Sequence, residues 1–298
     1  MNEAVENGPF ESRLTSDDAK ALKRCLLEIY HVVADICESH GLTIMLAGGS
    51  CLGAVRHQGF IPWDDDLDVM MPRPDYERFV KLCEQGCLGT QYEFRCPMGK
   101  EDSISTFLKV YYKDSRMDTL DNSNPIYPSG CFLDVFPVEG YSRYTRVNKM
   151  KGWLADSIRL IANMVLNTGP MTEKQKALYA SNKELGQMMK RRRLLGKLFS
   201  FVSHKRWMRW YDRLVCNKDM SGLVGIPTGR KRYNGEVFDS SVFFPPIDSI
   251  FEGIRVKIPA DYDLYLTNLY HDYMTIPPVE KRESHFIVSV ELPRKYYV

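Results

Sequence analysis

Apolar residues recur at Leu22, Leu26, Ile29, Val33 and Ile36, behind the polar run Thr15-Ser16-Asp17-Asp18. Three- and four-residue steps put them on one stripe, and a hydroxyl cap with an acidic first turn opens it, so the spacing predicts a helix from Thr15 to about Gly41. The period then shortens. Thr43 to Ala47 is a β-type run that feeds Gly48-Gly49-Ser50, and Cys51 to His57 has room for one or two helical turns. Asp64 to Met71 alternates: Asp64, Asp66, Asp68 and Met70 fall on one side, Asp65, Leu67, Val69 and Met71 on the other, as a strand of period two requires. Pro72 and Pro74 end it, and Asp75 to Gln85 reads as a second helix with Tyr76, Phe79, Val80 and Cys83 inward. Tyr92 to Arg95, Thr106 to Tyr112 and Cys131 to Val135 read as further strands, with turn residues at 121–125 between the last two.

From Ser142 to about Met220 the strand signals vanish and helical periodicity with many cations replaces them. β-like pieces return at Arg232 to Phe238 and Ile254 to Ile258, followed by a helix from Ala260 to Tyr270 and a Pro-rich irregular tail. The expected class is α/β (α+β), a mixed sheet with flanking helices and a helical insert. The expected units are a catalytic core at 1–141, a basic helical insert at 142–221, and a segment at 222–298 that completes the core and carries the acceptor site.

Composition adds limits. A chain of 298 residues with 44% hydrophobic and 26% charged residues is ordinary for a globular protein, which excludes a mostly disordered one. Forty Lys plus Arg against 38 Asp plus Glu argue against a nucleic-acid partner. Within 186–213, however, nine basic residues face one acidic, net +8, leaving 31 against 37, net −6, elsewhere. That segment interleaves Leu194, Leu195, Leu198, Phe199, Val202, Trp207 and Trp210 with cations, a pattern suited to an anionic membrane interface or to packing on the catalytic unit. No apolar run reaches the ~20 residues of a membrane span, and the start of the chain is acidic and polar, unlike a secretory signal. The expected location is the cytoplasm, with peripheral contact at the inner membrane face. The eight cysteines (25, 37, 51, 83, 87, 96, 131, 216) sit mostly in apolar periodic stretches and read as reduced thiols; Cys83, Cys87 and Cys96 fit no common zinc spacing.

Chemistry concentrates between Leu46 and Met70. Four carboxylates fall within five positions, and on one strand face Asp64, Asp66 and Asp68 would repel unless a cation neutralised them. Oxygen ligands on a strand suit Mg²⁺ or Mn²⁺. A solvated acidic turn is the alternative, but it leaves the alternating Leu67, Val69 and Met71 unexplained. Gly48, Gly49 and Ser50, between a strand and a helix, offer backbone N–H groups and a hydroxyl to a phosphate, although the Lys of a P-loop is absent. Asp134, in the apolar run Cys-Phe-Leu-Asp-Val-Phe, is a carboxylate that burial would penalise unless bound or paired. A glycine turn, paired acids on a strand and a third acid on a later strand are the pattern of nucleotidyltransferase-type active sites.

The stretch GGSCLGAVRHQGFIPWDDDLDVMMPRPDYERF from Gly48 to Phe79 resembles the LicD family, and is similar to the fukutin-related phosphoribitol transferases. GCFLDVFP at 130–137 and FEGIRVKIPADYDLYLTNLYHDYMTIPP at 251–278, followed by Arg282 and His285, extend the resemblance over most of the chain outside the helical insert. It implies phosphocholine transfer from CDP-choline to cell-surface glycans. It also implies Mg²⁺ at the Asp-rich segment, here Asp64, Asp66 and Asp68, with Asp134 as the later acid. Tyr270-His271-Asp272 departs from the family's Tyr-Gly-Asp.

The expected reaction is metal-dependent transfer of a phosphorylated alcohol, phosphocholine by default, from a CDP-linked donor to a glycan or its lipid-linked precursor. Metal would sit on Asp66, Asp68 and Asp134, and Asp64 or Asp134 would be the general base. Arg56 and Lys109 are candidate phosphate contacts. His57 is a candidate in the same site or a structural partner of the loop before Trp63, whose own role the sequence leaves open. Arg282 and His285 rest on the resemblance alone. The alternatives are a nucleotidyltransferase that releases pyrophosphate from an NTP, and a non-catalytic membrane- or glycan-binding protein.

Overall fold

The structure is a computed structural model and describes residues 14–101, 103–119, 129–171, 173–282 and 287–297. Helix α1 (Ser16–Ser39) opens on a capping box: the Thr15 hydroxyl accepts from the Asp18 N–H at 3.1 Å, and the Asp18 carboxylate accepts from the Thr15 N–H at 3.2 Å. Its stripe of Leu22, Leu26, Ile29 and Val33 is fully buried. Strand β1 is only Met45–Leu46, shorter than the expected Thr43–Ala47, because the chain turns straight into α2 (Gly48–His57), whose first residue is Gly48 and not Cys51.

Strand β2 is Asp68–Pro72, so the expected strand from Asp64 to Met71 is wrong over its first half. β1 offers partners only to Val69 and Met70 before α2 begins, and the Asp68 N–H donates to the Ser50 hydroxyl at 2.8 Å instead of to a strand. Residues 64–67 therefore form an irregular loop, and alternation there reflected a turn with acids on it. Helix α3 (Arg73–Glu84) follows at once, then β3 (Tyr92–Arg95), β4 (Leu108–Tyr112), β5 (Arg116–Thr119) and β6 (Phe132–Tyr141), the last running well beyond the expected Val135.

After β6 come α4 (Thr145–Leu166), α5 (Glu173–Ser181), α6 (Lys183–Phe199) and α7 (His204–Val215). Strand β7 (Leu223–Gly225) then pairs antiparallel with the end of β6, Glu139 opposite Gly225 and Tyr141 opposite Leu223, so the four helices leave the sheet and return to the same place. The expected β-like run Arg232 to Phe238 is instead a helical turn α8 (Arg232–Gly235) followed by β8 (Val237–Asp239). The chain closes with the hairpin β9 (Ile247–Phe251) and β10 (Ile254–Ile258), α9 (Tyr262–Tyr270) and β11 (Ile287–Glu291), which pairs with β5.

The main sheet has the order β1-β2-β6-β4-β3, with β2 and β6 parallel and the other neighbours antiparallel, and β7 and β8 extend it beside β6. This is a mixed α+β architecture. Val69, Leu108, Val110, Leu133 and Val135 make its centre fully apolar, with α1 against β4 and β6. A second, small cluster of Tyr141, Ala155, Tyr211, Val215 and Tyr233 holds the helical unit on the end of β6. The basic segment is mixed: Val202 and Met208 are buried and Trp207 is partly covered, whereas Leu194, Leu195 and Leu198 are exposed. All eight cysteines are free thiols.

One tight approach fixes α2. A methyl group at Gly53 would overlap the Gly59 carbonyl oxygen and come within 3.3 Å of the Phe251 ring. Gly53→Ala is expected to cost about 1–3 kcal/mol of stability through overpacking, measurable as a lower melting temperature.

Candidate active site

Three neighbouring strands bring the first site residues side by side. Asp68 on β2 is in register with Asp134 on β6, and Asp134 with Lys109 on β4. In-register partners share a sheet face, so one carboxylate, then a second, then an ammonium lie across adjacent strands. Lys109 Nζ donates to both Asp134 oxygens, at 2.6 and 2.8 Å. Asp68 has no such partner on Oδ1, which is buried without a hydrogen bond. Burial, and then the neighbouring Asp66, Asp134 and Asp64 charges, hold its carboxyl well above the usual carboxylate range.

The start of α2 makes this crowding geometrically feasible. A Cβ at Gly48 would lie 3.5 Å from Asp68 Oδ2, and one at Gly49 3.0 Å from Asp64 Oδ2. Gly48 also takes φ +48°, a left-handed conformation that favours glycine. The two glycines thus admit carboxylates. The expected phosphate cradle is largely committed elsewhere: the Gly48 N–H donates to the Tyr265 hydroxyl at 3.1 Å, and buried Ser50 accepts from Asp68.

A cavity of about 910 Å³ opens over this group. Of the expected site residues, Gly48, Gly49, Arg56, Asp64, Asp66, Asp68, Asp134 and Arg282 line it; Ser50, His57 and Lys109 do not, and His285 lies outside the described residues. Asp64, Asp65 and Asp66 bring carboxylate oxygens within 4.8 Å of one another. The sequence reading put Asp65 on the opposite face of a strand; the loop removes that alternation. Asp65 does not line the cavity; Asp64, Asp66, Asp68 and Asp134 line it together around β2 and β6, and Glu236 and Asp272 line it from the C-terminal part of the chain. A buried carboxylate oxygen with no donor, amid three further acids, fits a hard divalent cation on oxygen chemistry alone.

Cations and aromatic rings occupy the remaining wall. The Arg282 guanidinium stacks on the Trp63 ring at 4.2 Å, with Arg56 at 5.9 Å from the same ring. Arg56 also donates to the Tyr273 carbonyl at 2.5 Å, which ties α2 to the segment after α9. His57 meets Trp63 edge-on at 6.4 Å and lies off the cavity wall.

Sequence reasoning missed the wall at 226–236 and Tyr270. Thr228, Gly229, Arg230 and Lys231 line the cavity, and Arg230 lies 5.5 Å from the Tyr270 ring. Tyr270 reaches the acids: its hydroxyl would be 3.7 Å from a Cβ on Gly48, and burial, then the Asp68 charge, raise its pKa. Glu236 underlies the loop, accepting from the Lys231 N–H at 2.8 Å, with burial pushing its carboxyl up to about 7. A glycine set beside a threonine and three cations, Thr-Gly-Arg-Lys-Arg, was the available signal.

Residues 41–152 match the family described as LicD/FKTN/FKRP, nucleotidyltransferase domain. The chain carries a LicD-family domain. The match takes in β1 through β6, hence Asp64, Asp66, Asp68, Asp134 and Lys109. The chain is 25% identical to the lipopolysaccharide cholinephosphotransferase LicD of Haemophilus influenzae over 290 residues, 92% of this chain and 97% of that protein. It is 33% identical to the human ribitol 5-phosphate transferase FKRP over 108 residues, 35% of this chain and 21% of that protein. An uncharacterised Rickettsia prowazekii protein is 32% identical over 123 residues, 39% of this chain and 46% of its own length.

Proposed function

We propose that this LicD-family protein transfers a phosphorylated alcohol from a CDP-linked donor to a hydroxyl of a glycan or of its lipid-linked precursor. The observation that carries the reading is the cavity acid set around Asp68, whose buried Oδ1 lacks a donor. Two relatives with named activities, a cholinephosphotransferase and a ribitol 5-phosphate transferase, both move phosphorylated alcohols. Mg²⁺ or Mn²⁺ would be held by Asp66, Asp68 and Asp134, and when bound would neutralise charge on the donor's diphosphate.

The chain's own groups have separable tasks. Arg56 and Arg282, already fixed by the Tyr273 carbonyl and the Trp63 ring, orient the donor's anionic oxygens. Arg230 and Lys231 offer charge from the opposite segment of the chain. Lys109 holds Asp134 in place through both carboxylate oxygens, leaving Asp64 to receive the acceptor's proton. The acceptor oxygen bonds to the phosphorus that bears the alcohol, the bond from that phosphorus to the CMP oxygen breaks, and CMP leaves with the electron pair.

Incubation with CDP-choline, other CDP-alcohols or CTP, together with a cell-envelope glycan extract and Mg²⁺, tests this. CMP formed from a CDP-alcohol, dependent on the extract, is the expected result. Pyrophosphate from CTP with no CMP from any CDP-alcohol would replace the reading with nucleotidyl transfer.

A further inference from the structure

The helical unit carries a surface that the chemistry above does not use. On α4, Met150, Trp153, Ser157, Leu160 and Met164 follow at steps of three and four and form one stripe along the helix. Met164 is covered by α6: Gly196 sits so close to the Met164 carbonyl that a Cβ there would overlap it, and Arg193 donates to the Gly169 carbonyl at 2.9 Å. Its other apolar members are bare. Trp153 is 72% exposed, and Met150 and Leu160 are exposed with it. On α6, Leu194 and Leu198 point away from Gly196 at 100° per residue, and Leu198 is 65% exposed. Gly196 marks the side of α6 that meets α4, so Leu194 and Leu198, about half a turn away from it, lie on the side of α6 turned from α4. Phe201, directly after α6, is 79% exposed.

Charge sorts with this surface. Residues 142–215 contain 17 basic and 4 acidic residues, net +13, whereas the rest of the chain has 23 against 34, net −11. Lys190, Arg191, Arg192 and Lys197 flank the apolar side chains of α6 and are exposed. Exposed apolar side chains on two packed helices, a tryptophan and a phenylalanine among them and cations alongside, are complementary to an anionic bilayer surface in both their apolar and their charged parts.

We infer that α4 and α6 form a membrane-docking face that seats the protein peripherally on anionic phospholipid, with Trp153, Leu160, Leu194, Leu198 and Phe201 entering the headgroup region. The contact surface is thus not the tryptophan pair of α7, where the Trp207 indole N–H donates to the Phe199 carbonyl at 3.4 Å and the ring meets Trp210 at 4.9 Å. The inference does not depend on the reaction proposed for the cavity.

Flotation of the full chain with vesicles of phosphatidylcholine alone, or mixed with phosphatidylglycerol, tests it at low and high salt. Binding is expected to mixed vesicles at low salt and to be lost on phosphatidylcholine alone or at high salt. A Trp153→Ser, Leu198→Ser variant should bind about tenfold more weakly. A Lys190→Gln, Arg191→Gln, Arg192→Gln variant should bind about a hundredfold more weakly. Neither should change the far-ultraviolet circular dichroism, since these side chains are exposed. Equal recovery with both vesicle types overturns the inference, as does undiminished binding by both variants. A stable dimer in sedimentation equilibrium that the Trp153→Ser, Leu198→Ser variant dissociates would instead assign the face to a second copy of the chain.

Discussion

Asp68→Asn is expected to lower the transfer rate by about three orders of magnitude or more while leaving the fold intact. Two opposite effects of one change make this diagnostic. The substitution removes a carboxylate oxygen that no protein donor satisfies, and it also removes a charge that burial and the neighbouring Asp66, Asp134 and Asp64 make costly. Activity should fall and stability should hold or rise. The pH dependence follows from the direction of the shift. The folded state raises the Asp68 pKa above its ordinary 3.8, so the folded protein binds this proton more tightly than the unfolded chain does. Wild-type stability is then lost as pH rises above the unfolded value, and the Asn variant escapes that loss. Melts in metal-free buffer should show the variant gaining on wild type from about pH 4 upward. Added Mg²⁺ should raise the wild-type melting temperature and leave that of the variant unmoved, because only a ligand that binds the folded state shifts the equilibrium. A variant that turns over at a near-normal rate would sink the assignment of Asp68. A variant that melts far below wild type without metal would show that the carboxylate is structural.

The sequence made the acids legible and hid their arrangement. Asp68 and Asp134 could be singled out because each is a charge next to consecutive apolar residues, and burial of such a charge demands a reason. Their adjacency depends on β2 and β6 being parallel neighbours, a pairing between segments more than sixty residues apart that no local pattern encodes. Alternation failed at 64–67 because a loop with Asp64, Asp66 and Asp68 spaced two apart looks like a strand until its hydrogen-bond partners are counted, and β1 is too short to supply them. Lys109 was legible as a cation near phosphate chemistry, but register, not composition, places it on Asp134. The hydroxyl cap and acidic first turn of α1 and the break at Pro72 were readable because they depend on residues within a few positions of one another. The wall at 226–236 was not, since it faces the acids only through the closure of β7 and β8 on β6.

The same long-range closure makes Arg73 the residue whose loss should cost most in stability. It is the first residue of α3, immediately after β2, and its side chain is 1% exposed. Its guanidinium donates to Glu139 on β6 at 2.7 Å, to both oxygens of Asp212 on α7 at 2.8 and 3.0 Å, and to Glu77 at 3.1 Å. Glu139 and Asp212 are both buried, so one cation joins the strand of Asp68, the strand of Asp134 and the helical unit. A well-packed apolar replacement of the whole group would cost little. Removing the cation alone leaves two carboxylates in the interior, and Arg73→Met is therefore expected to cost about 3–5 kcal/mol. That corresponds to a melting temperature lower by about 10 °C for a chain of this size. Burial already pushes the Glu139 carboxyl up to about 7 against the opposing pull of Arg73, and loss of Arg73 raises it further. A folded-state pKa above the unfolded 4.5 means that stability is retained at low pH and lost as pH rises through the folded value. The deficit of Arg73→Met should thus be largest above pH 7 and shrink toward pH 5, where Glu139 takes up a proton. The triple variant Arg73→Met, Glu139→Gln, Asp212→Asn should recover most of the loss and flatten that pH dependence. Thermal melts of the three proteins from pH 5 to 8 decide it: a deficit that does not change with pH, or a triple variant no more stable than the single one, would mean that the guanidinium acts by filling space and not by compensating buried charge.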